Sequence, residues 1–437
     1  MKFIVSVFFC AAACVAGIAQ PQPDHSRMPG MKMSAGKKNH DPIIAHSHIS
    51  SGTAWQPLAL PMHLWSQSSH GWDFMEHGNI FIAYNQQGGR RGLGKFESSN
   101  WAMLMQQRAF ARGTIQFRQM LSAEPFTFPH GGSPELFQTG ETYHGIPLVD
   151  HQHPHDVFGE LAALYSVPIS KHAYWEIYAG PAGEPALGPV TYLHRASAGE
   201  LEAAPLGHHL QDSTHISYGV ITSGFSLSTN AAGTFRVEGS AFNGREPDED
   251  RLDFDFAALD SFSARVSYDP NPNWSMQYST GYLVHPEAAE PGNINRQTAS
   301  VEYTRALPAI DGRVSSSLIW GRNRKLARQA TQNSYMVESV VNFARVNYAF
   351  TRLELVDKDE LVANALPLGA PGPNLRIGAF TFGAARDLAH TRTRQIAIGA
   401  DLTFYSKPDI LNSAYGVDPV SLHVFLRLRP GEMRSMQ

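Results

Sequence analysis

The chain has 437 residues, a formal net charge of −4, 17% charged residues and 11% aromatics. The slightly acidic balance excludes nucleic acid as a partner, and so many aromatics beside so few charges are unusual for a soluble protein of this length. Both cysteines, Cys10 and Cys14, fall in the first nineteen residues, which excludes a disulfide framework and thiolate metal sites in the rest of the chain.

Residues 1–19 read as a secretory signal. Lys2 gives a positive start, Phe3 to Val15 are almost wholly apolar, and Gly17-Ile18-Ala19 is a small-x-small exit before Gln20. A competing cut lies before Cys14, where Ala11-Ala12-Ala13-Cys14 loosely matches a lipoprotein box without its usual Leu. Past this segment no apolar run reaches the roughly 18 residues of a spanning helix. The expected destination is the periplasm, the exterior or the outer membrane.

Residues 20–73 read as an arm, periplasmic or plug-like. It holds His25, His40, His46, His48, His63 and His70, and opens on Asp24-His25-Ser26-Arg27-Met28-Pro29-Gly30-Met31-Lys32-Met33. Thioethers and imidazole at such short spacing favour Cu(I), with imidazole able to hold Cu(II). Further along, Trp55, Pro57, Leu58, Pro61, Met62 and Trp65 are too apolar for a simple linker and are expected to pack under the barrel or inside it.

From residue 74 to 430 the pattern changes to period-two alternation. In Gln395–Phe404 one face is Ile396, Ile398, Ala400, Leu402 and Phe404, and the other is Gln395, Ala397, Gly399, Asp401 and Thr403. Successive side chains on a strand point to opposite faces, so each segment is an apolar ribbon backed by a polar one. Sixteen such segments are predicted, near 74–87, 98–109, 113–126, 155–168, 172–183, 213–228, 233–245 and 257–269, then 273–285, 296–308, 312–324, 333–345, 347–359, 375–389, 392–406 and 419–430. Counts of 14 to 18 are compatible with the pattern. Short turns alternate with longer connections, the longest near 127–154 and 184–212. Turn chemistry marks several short ones, such as Asp269-Pro270-Asn271-Pro272-Asn273 and Ile310-Asp311-Gly312.

Short turns on one side and long loops on the other is the plan of a transmembrane antiparallel β-barrel, all-β, with periplasmic turns and extracellular loops. The region from Phe74 to Pro430 resembles bacterial porin-type outer-membrane β-barrels. The stretch from Asp24 to Met33 is similar to the Met/His-rich N-terminal segments of bacterial copper-resistance outer-membrane proteins of the B type, although it occurs once where that family repeats it. The chain also departs from the porin pattern at its end. Such barrels commonly finish on an aromatic residue, whereas this one continues through 431–437 as a short tail.

The longest loops carry imidazoles. The first holds His130, His144, His151, His153 and His155 with Glu141, Asp150 and Asp156; the second holds His194, His208, His209, Asp212 and His215. If 151–155 is extended, His151, His153 and His155 share one face. With His208 or His209 they would form a metal site where the loops fold inward over the pore. Together with His25, Met28, Met31 and Met33 in the arm, these are the predicted metal-binding residues, for copper or zinc; no cofactor is required. The other reading of the loop histidines is a hydrogen-bonding network that pins the loops. Arg236, Glu238, Arg265, Glu302, Glu338, Glu354, Arg427 and Arg429 lie on polar strand faces and are predicted to line the pore, as a water-filled lumen tolerates charges of both signs.

The function expected is an outer-membrane channel for small solutes or ions, linked to the handling of copper or another transition metal, and not an enzyme. Its partners would be outer-membrane lipid, small solutes or metal ions, with a homo-oligomer among the expectations. A structural or adhesive barrel without transport is one competitor. The other is an outer-membrane hydrolase using Asp150, His151, His155 and Asp156 as acid–base pairs, with Ser213, Thr214 and His215 nearby.

Overall fold

The computed structural model describes residues 50–432 except 230–232, 289–291 and 363–371. The leader, the Met/His stretch with His25, Met28, Met31 and Met33, and the last five residues lie outside the described residues.

The chain forms strands β1 (Trp65–Ser69), β2 (Trp72–Gln86), β3 (Gly94–Glu97), β4 (Asn100–Phe110), β5 (Gly113–Leu121), β6 (Ser133–Tyr143) and β7 (Ile146–Gln152). It continues through β8 (Phe158–Pro168), β9 (Ala173–Gly183), β10 (Ser217–Thr229), β11 (Gly233–Phe242), β12 (Ser261–Asp269), β13 (Trp274–Leu283) and β14 (Ile294–Leu307). The last strands are β15 (Gly312–Lys325), β16 (Ala330–Phe343), β17 (Asn347–Lys358), β18 (Leu375–His390), β19 (Arg394–Ser406) and β20 (Val420–Pro430).

Sixteen of these, β2, β4, β5 and β8 to β20 without a break, pair antiparallel with their neighbours and close where β2 meets β20, from Ile80 opposite Leu428 to Gln86 opposite Leu422. Closure leaves no barrel edge unpaired, as a sheet immersed in lipid requires. The short β1 and β3 extend the ladders of β2, while β6 and β7 form a hairpin of their own over the barrel. The sixteen barrel strands fall at the sixteen predicted segments, with ends shifted by a few residues.

Alternation sorts the side chains. Ile80, Ile82, Ile221, Phe225, Val237, Val266, Ile398 and Leu426 point out and are exposed, whereas Arg118, Arg236, Arg265, Ser279, Glu338 and Arg427 point in and are buried. Such an apolar exterior is wetted by lipid rather than water. Near the short-turn end the outward face carries cross-strand aromatic pairs: Phe235 stacks on Tyr268 at 4.2 Å, Trp274 meets Tyr303 at 4.4 Å, and Phe110 meets Tyr165 at 6.1 Å. These form the aromatic belt expected where a membrane surface meets a barrel.

The two ends differ as expected. Short turns connect β4 to β5, β8 to β9, β12 to β13, β14 to β15, β16 to β17 and β18 to β19. The β12–β13 turn stays tight because Asn271 caps it, its side chain accepting from the Asn273 amide. The N-terminal strand lies at this end: the Trp65 indole donates to the Thr393 carbonyl, and His63 bridges to Glu432. At the other end the loops between β5 and β8 and between β9 and β10 are the longest.

Candidate functional site

Two segments occupy the lumen. The loop between β9 and β10 runs down inside the barrel, and nearly all of residues 184–216 are buried. From the short-turn end, residues 50–57 enter as well. Arg236 donates to the Thr53 carbonyl (2.9 Å), Arg265 to the Thr53 hydroxyl (2.9 Å), and Ser275 to the Trp55 carbonyl (3.3 Å). Trp55 packs against the Arg236 guanidinium at 5.3 Å, a cation–π contact. Ser51 hydrogen-bonds Glu184, so the two insertions touch each other. The apolar residues before the barrel thus divide: Trp55 sits inside, whereas Trp65 is exposed at the turn end.

All eight predicted pore-lining residues point inward, but they face protein rather than open water. Glu338 binds Arg195 of the inserted loop (2.7 Å) and Arg352 of the wall (2.9 Å). Glu238 binds Arg236 and Arg265, and Arg265 also donates to the Gly188 carbonyl (3.2 Å). Glu354 accepts from the Gly207 amide (3.0 Å), while Arg427 and Arg429 pair with Glu200. Glu302 is buried on the inward face of β14. Charges that a water-filled lumen would leave solvated are therefore used to seat the loop. Single-residue alternation could place these side chains inward; it could not show what would meet them.

At the long-loop end the loops between β5 and β8 and between β9 and β10 bring five imidazoles into a closed circuit. Ring centroids are 6.3 Å apart for His153–His155, 5.1 Å for His155–His215, 5.1 Å for His215–His208, 5.3 Å for His208–His209 and 5.7 Å for His209–His153. The circuit lines a small cavity closed by Glu141, Asp156, Glu246 and Arg251. Each ring is tethered through Nδ1: His155 to Glu124 (2.7 Å), His208 to Asp212 (2.8 Å), His215 to the Asp212 carbonyl (2.8 Å), His209 to Glu246 (3.4 Å) and His153 to the Pro154 carbonyl (3.1 Å). Tethering Nδ1–H leaves Nε2 as the lone-pair nitrogen, the arrangement that orients metal-binding histidines. Nε2 of His209 and of His215 is buried with no hydrogen-bond partner, and His153 Nε2 stands 3.0 Å from Glu141 without hydrogen-bond geometry.

The local folding explains the placement. A helical turn, His208–Gln211, presents His208 and His209, and it rests on β15 at Gly321, where a Cβ would collide with the Leu210 carbonyl. Gly140, at φ +132°, lets the β6–β7 hairpin pass over the His209 ring, which a Cβ there would strike. Burial holds His153 and His215 neutral by pushing their pKa values well below 6.5, helped by neighbouring cations and imidazoles. Burial pulls His155 the same way, but the Glu124 carboxylate overcomes it and raises the pKa.

His151 does not join this circuit. It lies on β7, half-buried, with Nδ1 on the Val149 carbonyl (3.1 Å), because the strand ends at Gln152 and Pro154 turns the chain before His155. β8 starts only at Phe158, which frees His155 from the strand alternation that would have turned it outward. His215 takes the fifth place. The hydroxyls of Ser213 and Thr214 are committed to Arg296 (2.7 Å) and the Leu187 carbonyl (3.3 Å). Among the described residues, the trio of His or carboxylate side chains whose ligand atoms lie within 4.8 Å of one another is Asp248, Asp253 and Asp255, on the loop between β11 and β12 and largely exposed.

No protein-family profile matches the sequence, and no curated protein does. Among solved structures the chain is similar to an anion-selective porin from Comamonas acidovorans, with TM-score 0.51 and 10% identity over 82% of this chain and 99% of that one. It is also similar to OprB of Pseudomonas putida, with TM-score 0.52 and 9% identity over 82% and 94% of the two chains. The chain therefore has the fold of the outer-membrane porins, an antiparallel barrel of sixteen strands.

Proposed function

We propose that the protein is a gated outer-membrane channel for small solutes or ions, held closed by residues 50–57 from one end and by the loop 184–216 from the other. The observation that carries this reading is the seating of both segments on charged lumen residues. A barrel of sixteen strands encloses an aqueous passage when nothing fills it, and polar contacts to inserted segments exchange readily with water once the segments leave. A barrel serving only as scaffold would be filled more simply by apolar packing, and the interior here is lined by Arg118, Arg236, Arg265, Arg296 and Arg427.

The imidazole circuit is the natural control point. His153, His208 and His215, whose burial favours the neutral ring, offer nitrogens suited to Zn(II) or Cu(II), with His155 and His209 beside them. A bound ion would cross-link the loop after β5 to the loop after β9 and so favour the closed form. Coordination needs nitrogens about 2.0–2.1 Å from the metal, so three or four rings would draw inward from the spacing seen. Liposome swelling tests the reading. Vesicles carrying the protein should admit small sugars faster when residues 50–57 are deleted, and micromolar Zn(II) should slow that entry. Equal rates for deletion, parent and protein-free vesicles would leave the structural barrel as the better account.

A further inference from the structure

Apolar residues seat the inserted loop at several points of the wall, and one of these patches differs from the rest in chemistry. One ordinary patch is Phe81, Leu201, Phe350 and Phe425. The unusual one, on the inward faces of β2, β4 and β5, contains Met75, Trp101, Met103, Met105 and Met120. Strand register puts His77 opposite Met103 and Met103 opposite Met120, a row across three strands, with Met75 opposite Met105 one step nearer the short turns. The inserted loop completes the row with His194.

The donors are already paired. His77 Nε2 lies 3.2 Å from the Met103 sulfur, and His194 Nε2 lies 3.4 Å from the Met120 sulfur. The two imidazole rings are 5.4 Å apart, and Trp101 packs against both, 4.3 Å from His194 and 5.0 Å from His77. Nitrogen and sulfur donors sharing one metal at ordinary bond lengths stand about 3.5 Å apart. His194 Nδ1 is buried with no hydrogen-bond partner, so among the described residues the ring's polar contact is the Met120 sulfur. Filling space alone would call for Leu or Phe, as in the neighbouring patch. Two thioethers with two imidazoles form a soft-to-intermediate donor set, matched to a d10 monovalent ion, and an indole face beside the ion adds cation–π stabilisation.

We propose that His77, Met103, Met120 and His194 bind a soft monovalent cation, Cu(I) or Ag(I), inside the lumen, with Met75 and Met105 as flanking thioethers. Three ligands belong to the wall and one to the inserted loop, so the ion clasps the loop in its seated position. Binding here does not depend on whether the barrel conducts, and the two are measured separately.

The test uses the full chain in detergent with Met28, Met31 and Met33 of the arm changed to Leu, so that retained metal reports the barrel. Silver retained after gel filtration is compared between this parent and its Met103→Leu/Met120→Leu derivative, a nearly volume-conserving change, with circular dichroism and gel mobility reporting the folded barrel. The parent should retain one equivalent of Ag(I), and X-ray absorption of bound Cu(I) should show a sulfur shell; the derivative should lose both. Absence of retained silver in the folded parent, or equal retention by the folded derivative, would overturn the site. Should the double variant not fold, Met120→Leu alone and His194→Gln give the same comparison.

Discussion

A single buried arginine ties the wall to the imidazole circuit. Arg195 binds Glu338 on β16 (2.7 Å) and Asp212 in the loop (3.2 Å), and Asp212 in turn holds His208 (2.8 Å). Arg195 and both carboxylates are buried. Removing one member of a buried, hydrogen-bonded ion pair strands the others and typically costs about 3–5 kcal/mol. Arg195→Met should therefore loosen the loop by an amount of that order, read as faster amide exchange across 184–216 while the barrel strands stay protected. Unchanged exchange would show that the apolar patches alone hold the loop. A second change, Gly140→Ala, should strain the β6–β7 hairpin, push the His209 ring aside and weaken Zn(II) retention while the barrel strands stay protected. At this scale the sequence is informative about residue type and less so about neighbours. His153, His155, His208 and His209 stand out by clustering, but His151 leaves because β7 runs on to Gln152, and His215 enters because β10 starts only at Ser217. His77, Met103 and Met120 are separated widely along the chain, and only strand register brings them into one row; their shared inward parity was the available signal.

The inserted loop also carries carboxyls whose ionisation opposes its burial. Glu184 is pushed up to about 8 by burial, against the pull of Arg265 and the Ser51 hydroxyl, and Glu202 is pushed up to about 8 by burial and by Glu97, against His423. With the loop released into water each returns to about 4.3. The seated form therefore binds more protons than the released form between these values, so seating is strongest below about pH 4.3 and weakens progressively as pH rises toward 8. Sugar entry into proteoliposomes should accelerate from pH 5 to pH 8, and Glu184→Gln/Glu202→Gln should flatten that profile. A profile that falls with pH, or one that the double variant leaves unchanged, would contradict this assignment. The inward folding of the long loop and the apolar character of Trp55 were both legible in the sequence. That residues 50–57 reach Arg236 and Arg265 was not, because no pattern along a coil segment reports its distant partners.

Over the whole molecule, the barrel was the most legible feature. Alternation from Ile396 to Phe404 or from Val420 to Leu428 has one meaning when repeated sixteen times between alternating short and long connections, and the register of β2 on β20 closes the count. The loops were less legible, since nothing along a loop reports where it packs: 184–216 is buried in the lumen, whereas much of 248–259 is exposed. Protease added to intact cells should therefore cut the loop between β11 and β12, and spare both 184–216 and the turn Asp269–Asn273. Cleavage at that turn from outside would invert the orientation and place residues 50–57 at the wrong end for a periplasmic plug.

On the proposed function, the inserted segments close a passage that the barrel would otherwise hold open. Planar-bilayer recording of single molecules tests it most directly, comparing the full chain with a variant that lacks residues 50–57 and carries Arg195→Met. The full chain should be mostly silent with rare openings, and the variant should show steady ohmic steps of uniform size that Zn(II) reduces. A variant that folds and inserts as a barrel but remains silent at all voltages would contradict the channel.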